Sequence, residues 1–321
     1  MTKTENILEV KNLYVSYDEV DIVRNANFCL KKAEFLGIVG ESGCGKTTLL
    51  RALMMLKRKN NTIVGNILFQ NKELTSLDNE SLRILRGGDM SMIPQNAVTA
   101  MDGTKTISSL FYETVRMHKG HVSHKESDHM AAELMKKLLL EDTDRILKSY
   151  PFELSGGMCQ RVMIAVAMIN NPSLVLGDEP TSALDVTSQM QVLKELEMLK
   201  KKYDVSLIMI SHNLGVISKI ADNIAIMYGG RIVEYGTHDD IMKKPVHPYT
   251  RALLAAIPNV DGNISRGVPG LPPVFEKGMK GCPFAARCSY CENRCKEELP
   301  EDITVEGIHR VQCFRAKEFN V

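Results

Sequence analysis

Residues 35–53 run through an apolar segment, a glycine-dense turn and a helix-patterned segment without interruption. They read FLGIV, then Gly40-Glu41-Ser42-Gly43-Cys44-Gly45-Lys46-Thr47, then TLLRAL. The spacing G-x-x-x-x-G-K-[ST] between a strand and a helix leaves the chain little choice of architecture. Glycines let the backbone curl so that several N–H groups aim at one anion, and the following helix turns its positive end toward the same point. Lys46 is placed to reach the β- and γ-phosphates of a nucleotide, and the Thr47 hydroxyl to ligate Mg²⁺. Thr48 continues the turn into the helix. Cys44, inside the loop, reads as a backbone donor and not as a reactive thiol.

A second phosphate-linked feature lies at Leu174-Val175-Leu176-Gly177-Asp178-Glu179, an apolar strand that ends in two carboxylates. Ligands of open parallel sheets collect at such strand ends. Asp178 suits Mg²⁺, and Glu179 suits polarisation of the water that attacks a γ-phosphate. The rest of the pattern is compatible. Residues 7–40 alternate as strands, 62–74 read as an antiparallel piece, and about Ser123 to Lys202 turns mostly helical. VSLIMISH (205–212) is another buried strand, and NIAIMYGGRIVEYG is a hairpin turning on Gly229-Gly230. Strands alternating with helices imply a mainly parallel sheet covered by helices.

Between the two phosphate features stands Leu154-Ser155-Gly156-Gly157-Met158-Cys159-Gln160-Arg161. This resembles the signature of ABC-type ATPases: a Ser-Gly-Gly turn opening a helix, physically a second anion site. The resemblance implies an α/β fold with a mainly parallel core sheet, an antiparallel β portion, a helical subdomain and a small Cys-rich C-terminal extension. It places the ATPase domain at 1–245, with the helical signature subdomain at about 96–172, and the extension at 246–321. It also implies that ATP bound by Gly40–Thr48 of one chain is closed over by Leu154, Ser155, Gly156, Gly157 and Gln160 of another. Gln95 in MIPQN resembles the glutamine that joins Thr47 and Asp178 around Mg²⁺. Ser182-Ala183-Leu184-Asp185 resembles the D-loop. His212 resembles the switch histidine that works beside Glu179 in catalysis, and Tyr17 the aromatic residue stacked on adenine, with Tyr14 the other choice. Gly177 departs from the apolar residue common at its position, which predicts looser packing there.

Cargo is read from the C-terminal part. His247-Pro248-Tyr249-Thr250-Arg251, the connector VPGLPP (268–273) and GCPFAARC (281–288) resemble the extension of ATPase subunits from oligopeptide and dipeptide ABC importers. That resemblance implies peptide import, a second homologous ATPase forming a heterodimer, two membrane permeases and an external solute-binding protein. The expected location is the cytoplasmic face of the membrane, as a peripheral subunit. Nickel and other small-solute importers share much of the core and remain the alternative cargo class. A soluble ABC ATPase acting on nucleic acid or ribosomes is a further alternative. Against it, 40 Lys and Arg balance 39 Asp and Glu, so charge gives no reason to expect a nucleic acid partner. MTKTENILEV lacks a basic segment followed by an apolar core, so no secretory signal is expected. The longest apolar run, Val162 to Ile169, is far below the ~20 residues of a membrane span. Without a secretory signal, clustered cysteines favour a metal or cluster over disulfides. Cys282, Cys288, Cys295 and Cys313 match the importer pattern associated with a [4Fe–4S] cluster, whose iron soft thiolates stabilise. Cys291 is surplus, and Cys288-x-x-Cys291 leaves Zn²⁺ open.

Overall fold

The computed structural model describes residues 6–181, 186–257 and 267–319. Its strands are β1 (Asn6–Tyr17), β2 (Val20–Lys31), β3 (Phe35–Val39), β4 (Asn61–Phe69), β5 (Lys72–Glu73), β6 (Met90–Ile93), β7 (Leu174–Asp178), β8 (Ser206–Ser211), β9 (Asn223–Tyr228), β10 (Arg231–Thr237), β11 (Ile303–Glu306) and β12 (His309–Val311). The chain divides into two compact units. Met1–Ile7, Lys31–Glu34 and Ser76–Met209 make the first, and Leu8–Leu30, Phe35–Thr75 and Ile210–Val321 the second.

In the first unit the strands lie in the order β8-β7-β6. β6 and β7 run parallel, with Met90 opposite Leu174 and Ile93 opposite Gly177. Every residue of β7 is buried, as expected for a strand covered on both faces. Helices Ile107–Lys119, His124–Lys137, Thr143–Lys148 and Gly156–Met168 form the helical part. Their starts are written locally: Thr106, Ser123, Asp142 and Ser155 each accept a backbone N–H as N-cap, and Ser123 with Glu126 closes a capping box. The helix Ile107–Lys119 precedes Ser123, so the helical region starts earlier than the sequence pattern predicts. Gly177 does not loosen the strand as expected. A Cβ there would fall 2.6 Å from Met209 Sδ, so the methionine sulfur already fills the space.

The second unit holds an antiparallel sheet, β2-β1-β4-β5, and the strand row β11-β12-β10-β9-β3. β1 turns into β2 through Asp18 and Glu19, both at positive φ (47° and 66°), the backbone that a tight two-residue hairpin requires. β3 and β9 are parallel and buried along their whole lengths. The expected hairpin on Gly229-Gly230 is present, and β10 returns antiparallel to β9. The row does not stop there. β12 pairs with β10, Glu234 opposite Val311, and β11 pairs with β12, so the Cys-rich extension adds two antiparallel strands to what was read as a mainly parallel sheet. Among the described residues no helix is long and apolar enough to cross a membrane.

A buried carboxylate anchors those strands. Glu234 accepts the Val246 N–H at 2.7 Å and the His247 N–H at 3.0 Å, and its Oε1 lies 2.8 Å from His309 Nε2. Glu234→Ala should therefore lower the unfolding free energy by about 3 kcal/mol, at roughly 1–3 kcal/mol per orphaned buried group. A urea midpoint equal to that of the parent chain would show that the hub contributes nothing. Beside it, burial pushes the His247 imidazole from 6.5 down to about 4, and its Nδ1 accepts the Tyr249 N–H at 3.0 Å. Only the unprotonated nitrogen can do this, so the unfolded chain binds its proton at higher pH than the folded one. That contribution is complete above pH 6.5 and is lost as pH falls toward 4. Thermal melts across this window should show a falling Tm, with a shallower slope in His247→Asn.

Candidate nucleotide-binding site

The loop Gly40–Lys46 joins β3 to the helix Lys46–Leu53 in the second unit. Gly40 is needed because a Cβ would sit 2.1 Å from the Met227 carbonyl oxygen. Gly45 is needed because its φ is +104° and a Cβ would meet the Ile22 carbonyl at 2.8 Å. No side chain caps the helix, whose N-cap is Gly45, so its first amides face the loop concavity uncapped by side chains. The Lys46 ammonium, 5% exposed, donates to the carbonyls of Gly40 at 2.8 Å and Glu41 at 2.9 Å. Thr47 and Thr48 follow it, half-buried, in the first turn. Ser42 and Gly43 are exposed. Cys44 is buried, and burial raises its thiol pKa, which suits an inert position.

Four neighbours hold this loop from outside. The Gly40 N–H donates to the Ser211 carbonyl at 3.4 Å, and the Gly230 N–H donates to the Cys44 carbonyl at 3.0 Å. The Glu41 N–H donates to the Tyr249 hydroxyl at 3.1 Å. The Glu41 carboxylate is clasped by Arg287. His212 follows Ser211 directly and is exposed at the end of β8. Tyr249 gives HPYTR a physical role: fully buried, it packs with Tyr228 and Phe284 under the loop. Tyr228, Tyr249 and Arg287 are site residues that the sequence motifs do not reveal, because their partners lie far away along the chain; Arg287 stands inside the cysteine-flanked GCPFAARC.

In the first unit the parallel register of β6 and β7 sets Ile93 beside Gly177, so the residues two further on, Gln95 and Glu179, emerge as neighbours. Gln95 Nε2 donates to Glu179 Oε2 at 3.5 Å. Asp178 is buried at the strand end. Glu179 has φ +45°, a conformation that costs a residue with a Cβ and that collects at functional sites. In the same unit Ser155 caps the helix Gly156–Met168 and, with Gly156, lies exposed. A Cβ on Gly156 would meet nothing within 4 Å, so nothing in the described chain explains the glycine; an approach from outside would. Gly157 is half-buried, while Leu154 and Gln160 are buried within the unit and back the turn.

Tyr17 ends β1 opposite Asn61, half-buried, and Tyr14 is exposed on the same strand. Ser182, Ala183, Leu184 and Asp185 lie outside the described residues. Cys282, Cys288, Cys295 and Cys313 line one small cavity with Phe284 and Tyr290, whereas Cys291 is not part of its lining. Among the described residues no group of three or more His, Cys, Asp or Glu side chains is arranged to hold a metal ion, which gives no support to the expected [4Fe–4S] cluster at Cys282, Cys288, Cys295 and Cys313, nor to Zn²⁺ at Cys288-x-x-Cys291. Burial pushes the Cys282 thiol up to about 12 and the Cys313 thiol up to about 11. Two buried guanidiniums, Arg24 and Arg231, are within electrostatic reach of Cys282, and Arg24 Nε is buried without a hydrogen-bond partner. Both are held by the protein itself: Arg24 Nη2 donates to the Gly229 carbonyl, and Arg231 Nε donates to Gln312 Oε1 at 2.8 Å.

Residues 23–182 match the ABC transporter family, and residues 233–295 match the oligopeptide/dipeptide transporter C-terminal region. The chain is 40% identical to the dipeptide transport ATP-binding protein DppD of Bacillus subtilis (strain 168), with 97% of this chain and 95% of that protein covered. It is also 40% identical to the oligopeptide transport ATP-binding protein OppD of Haemophilus influenzae, over 90% of this chain and 91% of the relative. Among solved structures it resembles the dimeric post-hydrolysis state of the ATP-binding cassette MJ0796 bound to ADP and Pi. The TM-score is 0.65 at 26% identity, over 72% of this chain and 98% of that one. With similarity running nearly end to end and the loop, strand-end carboxylates and signature turn all present, the chain belongs to the ABC transporter ATP-binding family, in the branch that carries the oligopeptide/dipeptide transporter C-terminal region.

Proposed function

We propose that this chain hydrolyses ATP to power import of oligopeptides or dipeptides through membrane permease partners. One observation carries the reading: identity to peptide-transport ATP-binding proteins extends through both the phosphate loop and the Cys-rich extension. In this reading the chain works at the cytoplasmic face of the membrane. Its partners are a second homologous ATPase, two permeases and an external solute-binding protein.

The residues divide the work. Amides of Gly43–Thr47 cradle the phosphates, and Lys46 exchanges the Gly40 and Glu41 carbonyls for β- and γ-phosphate oxygens. Thr47, Gln95 and Asp178 are the residues that would hold Mg²⁺, which neutralises phosphate charge when bound. Glu179 takes the proton of the attacking water, and His212 contacts the γ-phosphate. Tyr17 stacks on the adenine. Ser155 and Gly156 serve the nucleotide of the companion ATPase, which gives the exposed glycine a purpose. Ser182–Asp185 complete that interface as the D-loop.

For the extension, we assign Cys282, Cys288, Cys295 and Cys313 as ligands of a [4Fe–4S] cluster. The support is that all four thiols line one cavity. Bound there, the cluster would cross-link three loop positions and the short helix Asn293–Glu297 of the extension.

Glu179→Gln should retain ATP binding while kcat falls about a hundredfold or more; hydrolysis at the parent rate would remove Glu179 from the chemistry. Deleting the gene in a strain without redundant peptide importers should abolish peptide uptake, and unchanged uptake would refute the cargo. Protein purified without oxygen should be brown with a broad visible absorbance; a colourless preparation carrying stoichiometric zinc would overturn the cluster.

A further inference from the structure

A guanidinium carries five N–H bonds in a fixed fork. Arg287 engages all of them. Nε donates to the Pro269 carbonyl at 2.7 Å. Nη1 donates to Glu41 Oε2 at 2.6 Å and to the Tyr228 hydroxyl at 3.0 Å. Nη2 donates to Glu41 Oε1 at 2.9 Å and to the Val268 carbonyl at 2.7 Å. The side chain is only 5% exposed, and Glu41 is 25% exposed. The guanidinium carbon also lies 5.6 Å from the centre of the Tyr228 ring.

This one side chain ties three parts of the second unit together: the connector at 268–269, the end of β9 and the phosphate loop. Its backbone belongs to the extension, directly before Cys288, whose thiol lines the cysteine cavity. On the loop side, the clasped residue is held at every polar group. The Glu41 carboxylate meets Arg287, its N–H meets Tyr249, and its carbonyl accepts from Lys46 Nζ and from the Cys44 N–H at 3.3 Å. When Lys46 turns to a phosphate, it gives up that carbonyl. The loop then relies on its other holds to keep Glu41 in place, and the bidentate pair is the strongest of them.

We propose that Arg287 is a positioning residue for the phosphate loop: by clasping Glu41 it makes nucleotide affinity depend on the docked Cys-rich extension. This rests on the reading of Gly40–Thr47 as the ATP site. The extension thereby becomes part of the binding apparatus, although it touches no nucleotide. Linkage requires the reverse effect as well, so bound nucleotide must tighten the extension.

The test uses the full chain and the fluorescent analogue mant-ATP with Mg²⁺. Arg287→Ala should bind about tenfold more weakly, corresponding to roughly 1.4 kcal/mol. In steady-state hydrolysis its KM for ATP should rise while kcat stays within about twofold of the parent. Arg287→Lys should recover only part of the affinity, because an ammonium cannot form the two-pronged contact. The exchanged pair Glu41→Arg with Arg287→Glu should bind more tightly than either single variant. A folded Arg287→Ala chain with parental affinity would overturn the proposal. Should that variant fail to fold, amide hydrogen exchange of the parent chain decides: Mg-ATP should slow exchange across residues 281–291, and unchanged exchange would overturn it. Parent and Lys46→Ala chains that both fail to bind mant-ATP would instead refute the ATP site itself.

Discussion

Backbone must come to within contact distance of backbone for an amide nest to form, and the second unit is organised around that demand. Gly40 has the Met227 carbonyl where a side chain would stand, and Gly45 has the Ile22 carbonyl. Gly230, whose N–H supports the loop at Cys44, is itself pressed against Ile22, its missing Cβ only 2.4 Å from that carbonyl. β2, β9 and the β9–β10 turn therefore converge on the loop as bare main chain. A methyl group at any of these places would push a strand end away and open the concavity. Stiffness also follows, because β3 and β9 are buried along their whole lengths and cannot give way.

The Gln95–Glu179 pair of the first unit depends on register in the same way. A parallel pair fixes which residues leave the two strands together, and here it delivers Gln95 beside Glu179. The positive φ of Glu179 then turns its side chain out of the strand direction. That strain is sustained by a fully buried β7 behind it, where Met209 makes good the side chain that Gly177 lacks.

Much of this was legible in the sequence because local spacing determines it. The loop needs only eight residues in a row, the carboxylates only an apolar run before them, and the signature helix only the Ser155-Gly156-Gly157 turn that opens it. The Gly229-Gly230 turn was equally plain. What could not be read lay in pairings far apart in sequence. Glu41 and Arg287 are 246 positions apart, and neither residue type advertises the other. β11 and β12 have four and three residues with mixed polarity, too short for alternation to rise above chance. The Gly177 departure was visible, but its compensation by Met209 required knowing which strand lies opposite. The extension looked like an appendage because its cysteines stood out while its contacts were carried by an arginine, a glutamate and two histidines.

The strand row of the second unit terminates in β11, four residues whose Ile303 and Val305 point inward while Thr304 and Glu306 face out. A terminus so short and so polar on its outer side offers little to a foreign strand. Behind β11 and β12 lies β10, seven residues long and buried almost throughout. Proteolytic loss of the extension would leave that longer, more apolar border open to pairing with another molecule, so clipped protein would self-associate as well as lose its tie to the loop.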